Sequence, residues 1–264
     1  GMSNIFSKKM HEDTERSGQY FDWLTQSIIF DRYFFAAQFV KDKRVLEIGP
    51  GAGLGLEYLS SLAIQYEALE LSQENIELLG QQDIGSAQIS QGDAHQIPFD
   101  EGQFEVVLAL AMIYYLDLKA FLNEVYRCLS DEGVLFFCSS NKDVPGFCAA
   151  ECTTSYYSVP ELAFELEKFG FDVEFFGAFP KEGSLLSRRF IAAIKNLLKS
   201  IFSISSLGRQ LWDTLRAKSL GDLVQLPTKI TKENITSVTR VRLNPEKLNT
   251  DCTVIYVVAR KKIQ

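Results

Sequence analysis

Short apolar runs and amphipathic segments alternate along most of this chain. The apolar runs have the length of single strands, and some, such as FEVVLAL at 104–110, have no polar face. A run of this kind is typical of a strand that is buried on both faces of a parallel sheet. The pattern predicts strands at 44–48, 64–70, 87–90, 104–110, 134–139, 171–176 and 251–260.

Helical periodicity occupies the segments between these runs. Apolar residues recur every three or four positions, which predicts amphipathic helices at 54–62, 73–81, 118–129 and 159–169. Ser72 is a good N-cap for the second of these helices, and Pro160 suits the first turn of the last. Strands that alternate with helices predict an α/β protein with a doubly wound, mostly parallel sheet of seven strands.

Two parts of the chain depart from this alternation. Residues 20–40 are dense in aromatic side chains at helical spacing, which predicts one or two helices before the first strand. Between Phe179 and Asn249 the pattern becomes helical and irregular, which predicts an insertion that is separate from the sheet. We therefore expect an N-terminal helical lid, a core, a helical cap insertion and the last core strand, at 1–40, 41–178, 179–249 and 250–264.

The stretch VLEIGPGAGLG at 45–55 is the strongest local signal. An apolar strand leads into glycine at every second position, and glycine allows a tight turn whose backbone approaches a ligand closely. A dinucleotide fingerprint needs a third glycine five residues after the first, but that position is Leu54 or Leu56. The spacing therefore disfavours NAD, and an NAD-dependent oxidoreductase stays only as an alternative function.

The pattern that is present, with Glu47, Gly49, Gly51 and Gly53 at alternate positions, resembles the first motif of the class I S-adenosylmethionine (SAM)-dependent methyltransferases. The string GDAHQIPFDEGQFEVVLALAMIYYL also looks like the small-molecule type of that family. The resemblance covers about residues 40–176 and the last strand. It implies a Rossmann-like methyltransferase fold, with SAM as the cofactor and S-adenosylhomocysteine as the product. The cofactor-binding residues that it implies are Tyr33, Glu47, Gly49, Pro50, Gly51, Gly53, Glu70, Leu71, Asp93, Ala94, Leu110 and Ala111.

The resemblance also implies a role for several of these residues. Glu70, at the end of the second strand, would accept hydrogen bonds from the ribose hydroxyls, as a carboxylate can. Asp93 would accept from the adenine amino group, with the Ala94 N–H facing the ring. Either Arg32 or Tyr33, in the helix before the first strand, could reach the methionine carboxylate. Ordinary core packing is the alternative for Tyr33, and Glu47 could simply cap a backbone group.

Methyl transfer from a sulfonium depends mainly on alignment and desolvation, so no fixed catalytic triad is expected. Tyr114 and Tyr115 follow the fourth predicted strand and are candidates to orient an acceptor hydroxyl. His95 is a candidate base because it follows Asp93-Ala94. Packing against the helix that follows is the alternative for either tyrosine, and a place near the adenine is the alternative for His95. The fourth strand ends without the acid of the metal-dependent catechol type, and we expect no metal.

The acceptor is less well defined by the sequence. The loop after the fifth strand carries adjacent hydroxyl groups and aromatic rings at 153–157, which suit a small polar acceptor such as a sugar of a surface glycan. An ordinary surface loop would have a similar composition. A non-catalytic SAM-binding scaffold also stays open, because a cofactor motif does not prove turnover.

Composition narrows the partners and the compartment. The formal net charge is -7, which argues against nucleic acid because phosphate neutralisation needs clustered Lys and Arg. The five cysteines have no framework spacing, and the N-terminus lacks the apolar core of a secretory signal. We therefore expect a cytoplasmic protein with free thiols.

The segment LLSRRFIAAIKNLLKSIF at 185–202 is strongly amphipathic. Its apolar stripe consists of Leu186, Phe190, Ile194, Leu197 and Ile201, and the surrounding region at 181–218 holds eight basic residues and two acidic ones. The pattern favours a cap helix that packs its apolar stripe on the core. The alternative is weak peripheral contact with an anionic membrane.

Overall fold

The computed structural model describes residues 15–17, 19–150, 152–202, 208, 210–211, 214 and 223–263. The described strands, with the bounds that the backbone gives them, are β1 (Tyr20–Asp22), β2 (Arg44–Ile48), β3 (Gln65–Glu70), β4 (Gln88–Gln91), β5 (Phe104–Leu110), β6 (Leu129–Ser140), β7 (Phe171–Pro180), β8 (Leu223–Gln225), β9 (Arg240–Leu243) and β10 (Cys252–Lys261). The described α-helices are α1 (Trp23–Val40), α2 (Leu56–Ser60), α3 (Gln73–Leu79), α4 (Leu118–Cys128), α5 (Val159–Lys168) and α6 (Leu185–Phe202).

Eight of the strands form one sheet in the order β4-β3-β2-β5-β6-β10-β7-β9. Its first five strands pair in parallel, while β10 is antiparallel to both β6 and β7. Separate apolar clusters cover the two faces of the sheet, one with α4 and α5 and the other with α1 and α2. The predicted α/β fold with a mostly parallel sheet is therefore confirmed, with one strand more than the sequence predicted.

The helices begin where the sequence places capping residues. The side chain of Ser72 accepts a hydrogen bond from the backbone N–H of Asn75, and that of Asp117 accepts one from Ala120. Ser158 and Glu161 form a complete capping box around Pro160. Such caps satisfy N–H groups that the first turn of a helix leaves unpaired. The predicted starts of α3, α4 and α5 are confirmed.

The insertion is not separate from the sheet, contrary to the sequence-based expectation. Its residues 240–243 form β9, which pairs with β7 at the edge of the main sheet. The guanidinium of Arg240 lies 4.2 Å from the centre of the Phe35 ring and donates to Asp31, a buried residue of α1. The sequence did not reveal this strand because it is short and its partner carboxylate lies 209 positions away. The remainder of the predicted cap that falls at 203–207, 209, 212–213 and 215–222 lies outside the described residues.

The sheet order places a crevice above β2 and β5. Chain connections run outward in opposite directions from these two neighbouring strands, since β3 and β4 lie beyond β2 while β6 lies beyond β5. In open α/β sheets ligands bind at such a switch point, outside the carboxyl ends of the strands. The glycine turn follows β2 directly and therefore lies in this crevice.

Candidate functional site

The glycine turn after β2 adopts the conformations that make glycine necessary. Gly49, Gly51 and Gly53 have φ values of 65°, 58° and 78°, in the left-handed region that side-chain-bearing residues seldom occupy. The fourth glycine, Gly55, has a different reason: a Cβ there would lie 2.2 Å from the Tyr33 ring. The alternating glycines thus shape the turn and also let α1 pack closely against it.

Two adjoining cavities open beside this turn, with volumes of about 280 Å³ and about 250 Å³. Gly49, Glu70, Met112 and Tyr115 line both of them, so the cavities meet along this group of residues. The first extends toward α1, and the predicted residues along it are Tyr33, Gly49, Pro50, Gly51, Glu70, Leu110, Ala111, Tyr114 and Tyr115. The second extends toward β4, and the predicted residues along it are Gly49, Glu70, Leu71, Asp93, Ala94, His95 and Tyr115.

Glu70 joins the glycine turn to the end of β3. Its carboxylate accepts a hydrogen bond from the Gly51 N–H at 3.1 Å and another from the Ser72 N–H at 2.9 Å. Burial raises the pKa of this carboxyl above its ordinary value, against the opposing effect of these backbone donors. A buried carboxylate with spare lone pairs at a cavity wall can accept hydrogen bonds from a pair of ligand hydroxyls.

Asp93 and His95 form a short hydrogen-bonded chain at the far end of the second cavity. The His95 Nδ1 lies 2.7 Å from an oxygen of Asp93, and its Nε2 accepts a hydrogen bond from the Asp117 N–H at 2.9 Å. Both ring nitrogens are therefore engaged, and His95 connects the loop after β4 to the start of α4. This geometry favours a positioning role for His95 over the predicted role as a base, which needs a nitrogen free to take a proton.

An ion pair lies in the wall of the first cavity, on the side of α1. The guanidinium of Arg32 donates to both carboxylate oxygens of Glu15, at 3.0 Å and 3.3 Å. Arg32 is buried, and Tyr33 and Tyr114 line the same cavity. A buried guanidinium fork that holds one carboxylate in two-point contact has the geometry to hold another, such as the carboxylate of an amino acid.

Tyr114 and Tyr115 lie on the 3₁₀ turn that follows β5. The rings of Tyr114 and Tyr156 stack with centres 4.8 Å apart, and Phe147 contacts Tyr156 edge-on. Burial raises the pKa of the Tyr114 hydroxyl well above its ordinary value, although the Arg32 charge opposes this. Tyr114 therefore keeps its proton at neutral pH, and it can orient a ligand group but is a poor proton acceptor.

Glu47 and Gly53 are the two predicted cofactor residues that line neither cavity. Glu47 is buried within β2, where its carboxylate accepts a hydrogen bond from the Tyr66 hydroxyl at 2.7 Å. Gly53 packs against the Leu79 side chain, which would lie 2.4 Å from a Cβ. Both residues support the turn from behind, and the sequence-based expectation of direct cofactor contact stays a prediction for them.

We expect Glu47 to make folding stability depend on pH. Burial raises its pKa to about 7, with the nearby Glu70 charge adding to the increase and the Tyr66 hydrogen bond opposing it. Because the folded-state pKa exceeds the unfolded value, the associated stability is lost as the pH rises from about 5 to about 8. A pKa difference of this size between the folded and unfolded states corresponds to a loss of roughly 3 kcal/mol. Denaturant unfolding of the wild type and Glu47→Gln across this range measures it.

The side chain that Glu47→Gln introduces cannot ionise. The free energy of unfolding of this variant should therefore rise relative to that of the wild type as the pH rises. Glu101→Gln, in the exposed turn before β5, is the matched control and should follow the wild-type curve. Parallel curves for the wild type and Glu47→Gln would contradict the assignment.

Several cavity residues escaped the sequence-based prediction. Met112 packs over Gly49 so closely that a Cβ there would lie 2.5 Å from the Met112 sulfur. Asn75 lies on the first turn of α3, where its neighbour Ser72 was recognised only as a cap. Glu15 carries no pattern that marks it, since its contact with Arg32 spans 17 positions. Only the N-cap at Ser72 gave a signal that could have drawn attention to a neighbour.

The shape and the lining of the two cavities fit SAM. The backbone of the glycine turn borders the first cavity, and a side chain at Gly49 or Gly51 would strain that backbone. The Glu70 carboxylate, which can bind hydroxyl groups, lies where the two cavities meet. The Arg32 guanidinium, which can bind a carboxylate, lies at one end. Apolar walls from Ile48, Leu69 and Leu116 enclose the other end, which suits a flat base.

The sheet order and the crevice define the Rossmann-like fold of the class I methyltransferases. A structural neighbour, a SAM-dependent methyltransferase of Thermotoga maritima, matches 99% of this chain and 100% of its own with a TM-score of 0.60. The two sequences are 15% identical, so this likeness concerns the fold alone.

Residues 46–137 match the family model of a methyltransferase domain. This part of the chain therefore matches a methyltransferase domain, and the match agrees with the class of protein, and with SAM as its cofactor, that the sequence predicted. The matched residues include the glycine turn, Glu70, Asp93 and both candidate tyrosines.

Curated relatives match over the same central region. A fatty-acid O-methyltransferase of Mycolicibacterium smegmatis is 32% identical over 112 residues, which are 40% of this chain and 41% of that protein. The ribosomal RNA small subunit methyltransferase A of Parasynechococcus marenigrum is 36% identical over 91 residues, which are 33% of this chain and 30% of that protein. The chain thus spans less than half the length of these relatives.

Proposed function

We propose that this protein transfers a methyl group from SAM to a small-molecule acceptor. The observation that carries the proposal is the position of Glu70, whose carboxylate holds the Gly51 N–H and lines both cavities. A ligand that spans the two cavities must pass this carboxylate, as the ribose of an adenosine compound would. The methyltransferase-domain match over the same residues supports the proposal.

We assign the two cavities to the two ends of the cofactor. In the second cavity Leu71, Asp93 and Ala94 would hold the adenine, with Glu70 at the ribose. In the first cavity the glycine turn and Arg32 would hold the methionine part. Arg32 would bind the cofactor carboxylate in two-point contact, as it now does that of Glu15.

SAM, when bound, supplies a methyl group on a sulfonium whose leaving group is neutral, so the protein has mainly to align the acceptor and exclude water. Leu110, Ala111 and Met112 provide an apolar wall beside the glycine turn. Tyr114 keeps its proton and can donate a hydrogen bond that orients the acceptor. Ala111 has a φ of 57°, and such strained backbone is common at functional sites.

The acceptor that we favour has a hydroxyl or carboxyl group on an apolar skeleton. The packed rings of Tyr114, Tyr156 and Phe147 form an aromatic cluster at the first cavity, which suits an apolar or flat body. The relative of Mycolicibacterium smegmatis acts, by its name, on fatty acids. A sugar acceptor, expected from the loop at 153–157, stays a prediction.

Two measurements test the function in sequence. Isothermal titration with SAM, S-adenosylhomocysteine and NADH should give binding of the first two and none of the third. Transfer of radiolabelled methyl should then be measured on fatty acids, hydroxylated lipids and free sugars. Binding of NADH in place of SAM would overturn the proposal. SAM binding without transfer to any acceptor would favour the scaffold alternative.

A further inference from the structure

The amphipathic helix α6 contacts the protein through the side opposite its apolar stripe. Along this helix only Leu185, Arg188 and Ala192 are shielded by the rest of the protein, among the residues up to position 200. At about 3.6 residues per turn these three lie on one side of the helix. The Arg188 guanidinium is held there by the Thr250 carbonyl at 2.9 Å and by the Asp251 carboxylate at 2.6 Å.

The apolar stripe of α6 therefore points away from the protein. Leu186 is 78% exposed, Phe190 is 68% exposed and Leu197 is 62% exposed. Ile191 and Ile194 are also exposed, at 51% and 42%. The sequence pattern favoured a stripe packed on the core, and the described structure contradicts that expectation. A contiguous exposed stripe of large apolar side chains marks a surface that binds something.

Charge indicates the chemistry of the partner. The helix carries Arg188, Arg189, Lys195 and Lys199, and no acidic residue lies between 185 and 202. Arg189, Lys195 and Lys199 are exposed. This positive surface belongs to a chain whose net charge is -7, so the basic residues are concentrated here against the overall balance. Two copies of the helix would bring like charges together, whereas an anionic surface would be attracted.

The start of α1 lies beside α6, and exposed aromatic and apolar side chains occur there and just before it. Leu24 of α1 and Ile191 of α6 line one groove of about 500 Å³, together with Lys195. Leu24, Tyr20 and Trp23 are each more than half exposed. Tyrosine and tryptophan are the residues enriched where protein meets the boundary between lipid and water.

We propose that α6, with Leu24 beside it, docks this protein on the surface of an anionic lipid bilayer. The apolar stripe would enter the boundary between headgroups and acyl chains, and the basic residues would contact lipid phosphates. None of the helices in the described part of the chain combines the length and apolarity needed to cross a bilayer. The contact that we propose is one of a helix lying in the plane of the membrane surface.

This docking would bring the membrane close to the cavity mouth. A Cβ at Gly146, in the loop after β6, would lie 3.5 Å from the Ala192 side chain of α6. The same loop continues to Ala150, which lines the first cavity. The docking does not depend on the proposed methyl transfer, because vesicle binding can be measured without cofactor.

Vesicle co-sedimentation of the full chain tests the proposal. Vesicles with about 30% phosphatidylglycerol should bind the protein at low salt, pure phosphatidylcholine vesicles should bind at least tenfold less, and added salt should weaken binding. The double variant Phe190→Ser/Ile194→Ser should bind anionic vesicles at least tenfold more weakly. Both side chains are exposed, so the fold should survive, and circular dichroism with thermal unfolding checks this.

The matched control is Phe164→Ser on α5, where the side chain is 65% exposed but no basic stripe surrounds it. It should bind vesicles as the wild type does. No binding of the wild type to anionic vesicles at low salt would overturn the proposal. An equal loss of vesicle binding in Phe164→Ser would also overturn it. So would a wild-type protein that self-associates without binding vesicles, if Phe190→Ser/Ile194→Ser abolishes the self-association.

Discussion

The Gly51→Val variant should lose SAM binding by at least 100-fold, while keeping its fold. Gly51 has a φ of 58° and lines the first cavity, and its N–H is held by Glu70. A branched side chain would project from the turn at the point where the protein backbone is expected to contact the cofactor. It would also strain the backbone. At about 1.4 kcal/mol per tenfold, the loss corresponds to roughly 3 kcal/mol or more. Isothermal titration with SAM measures it.

The control for this variant must carry the same backbone strain away from the cavity. Gly102, in the turn before β5, has a φ of 65°, and the nearest atom to a Cβ there is 4.0 Å away. Gly102→Val should lose stability by an amount similar to Gly51→Val and bind SAM normally. Retained affinity in Gly51→Val, or an equal loss of affinity in both variants, would show that the glycine turn is not the cofactor site.

Glu70→Ala should weaken SAM binding by about 1–3 kcal/mol, which is roughly 5- to 150-fold. The carboxylate is expected to accept hydrogen bonds from the ribose hydroxyls, and it already accepts hydrogen bonds from the N–H groups of Gly51 and Ser72. The alanine variant therefore loses a ligand contact and leaves the turn less supported. Calorimetry with SAM measures the affinity, and thermal unfolding without ligand measures the cost to the turn.

A second variant at this position separates the two effects. Glu70→Gln keeps the shape and one acceptor oxygen, so it should retain more stability than Glu70→Ala and still bind SAM more weakly than the wild type. Glu77→Gln, on the exposed side of α3, is the matched control and should bind normally. An intact fold with unchanged affinity in Glu70→Gln and Glu70→Ala would mean that the ribose is held elsewhere.

The parts of the site that could be predicted from the sequence lie at the ends of strands. Gly49, Glu70 and Asp93 lie at the ends of β2, β3 and β4 or within two residues of them, and parallel strands place such residues along one edge of a sheet. The identity of each strand was readable because an apolar run with a polar boundary is a local property. The motif therefore located most of the residues that line the candidate cofactor cavities.

The parts that could not be predicted depend on contacts between distant segments. Glu15 reaches Arg32, and Arg240 reaches Asp31 across 209 positions, although neither acid stands in a recognisable motif. Glu47 has the position of a cofactor ligand in the motif, but the Tyr66 hydroxyl from the neighbouring strand occupies its carboxylate. The packing of strands and helices against one another determines which side chains meet. The local pattern of residues along the chain does not show these contacts.

The sequence by itself determined the alternation of strands and helices in the core and the position of the glycine turn, because each rests on the spacing of neighbouring residues. It indicated the class of cofactor through the family resemblance of that turn. It also determined that α6 is amphipathic, since periodicity along one helix is local. Only the tertiary structure decided which side of α6 faces the protein, and that Arg188 anchors the helix to Asp251 while Phe190 faces outward. The physical reason is that periodicity defines two faces of a helix, whereas the groups packed against it decide which face is covered.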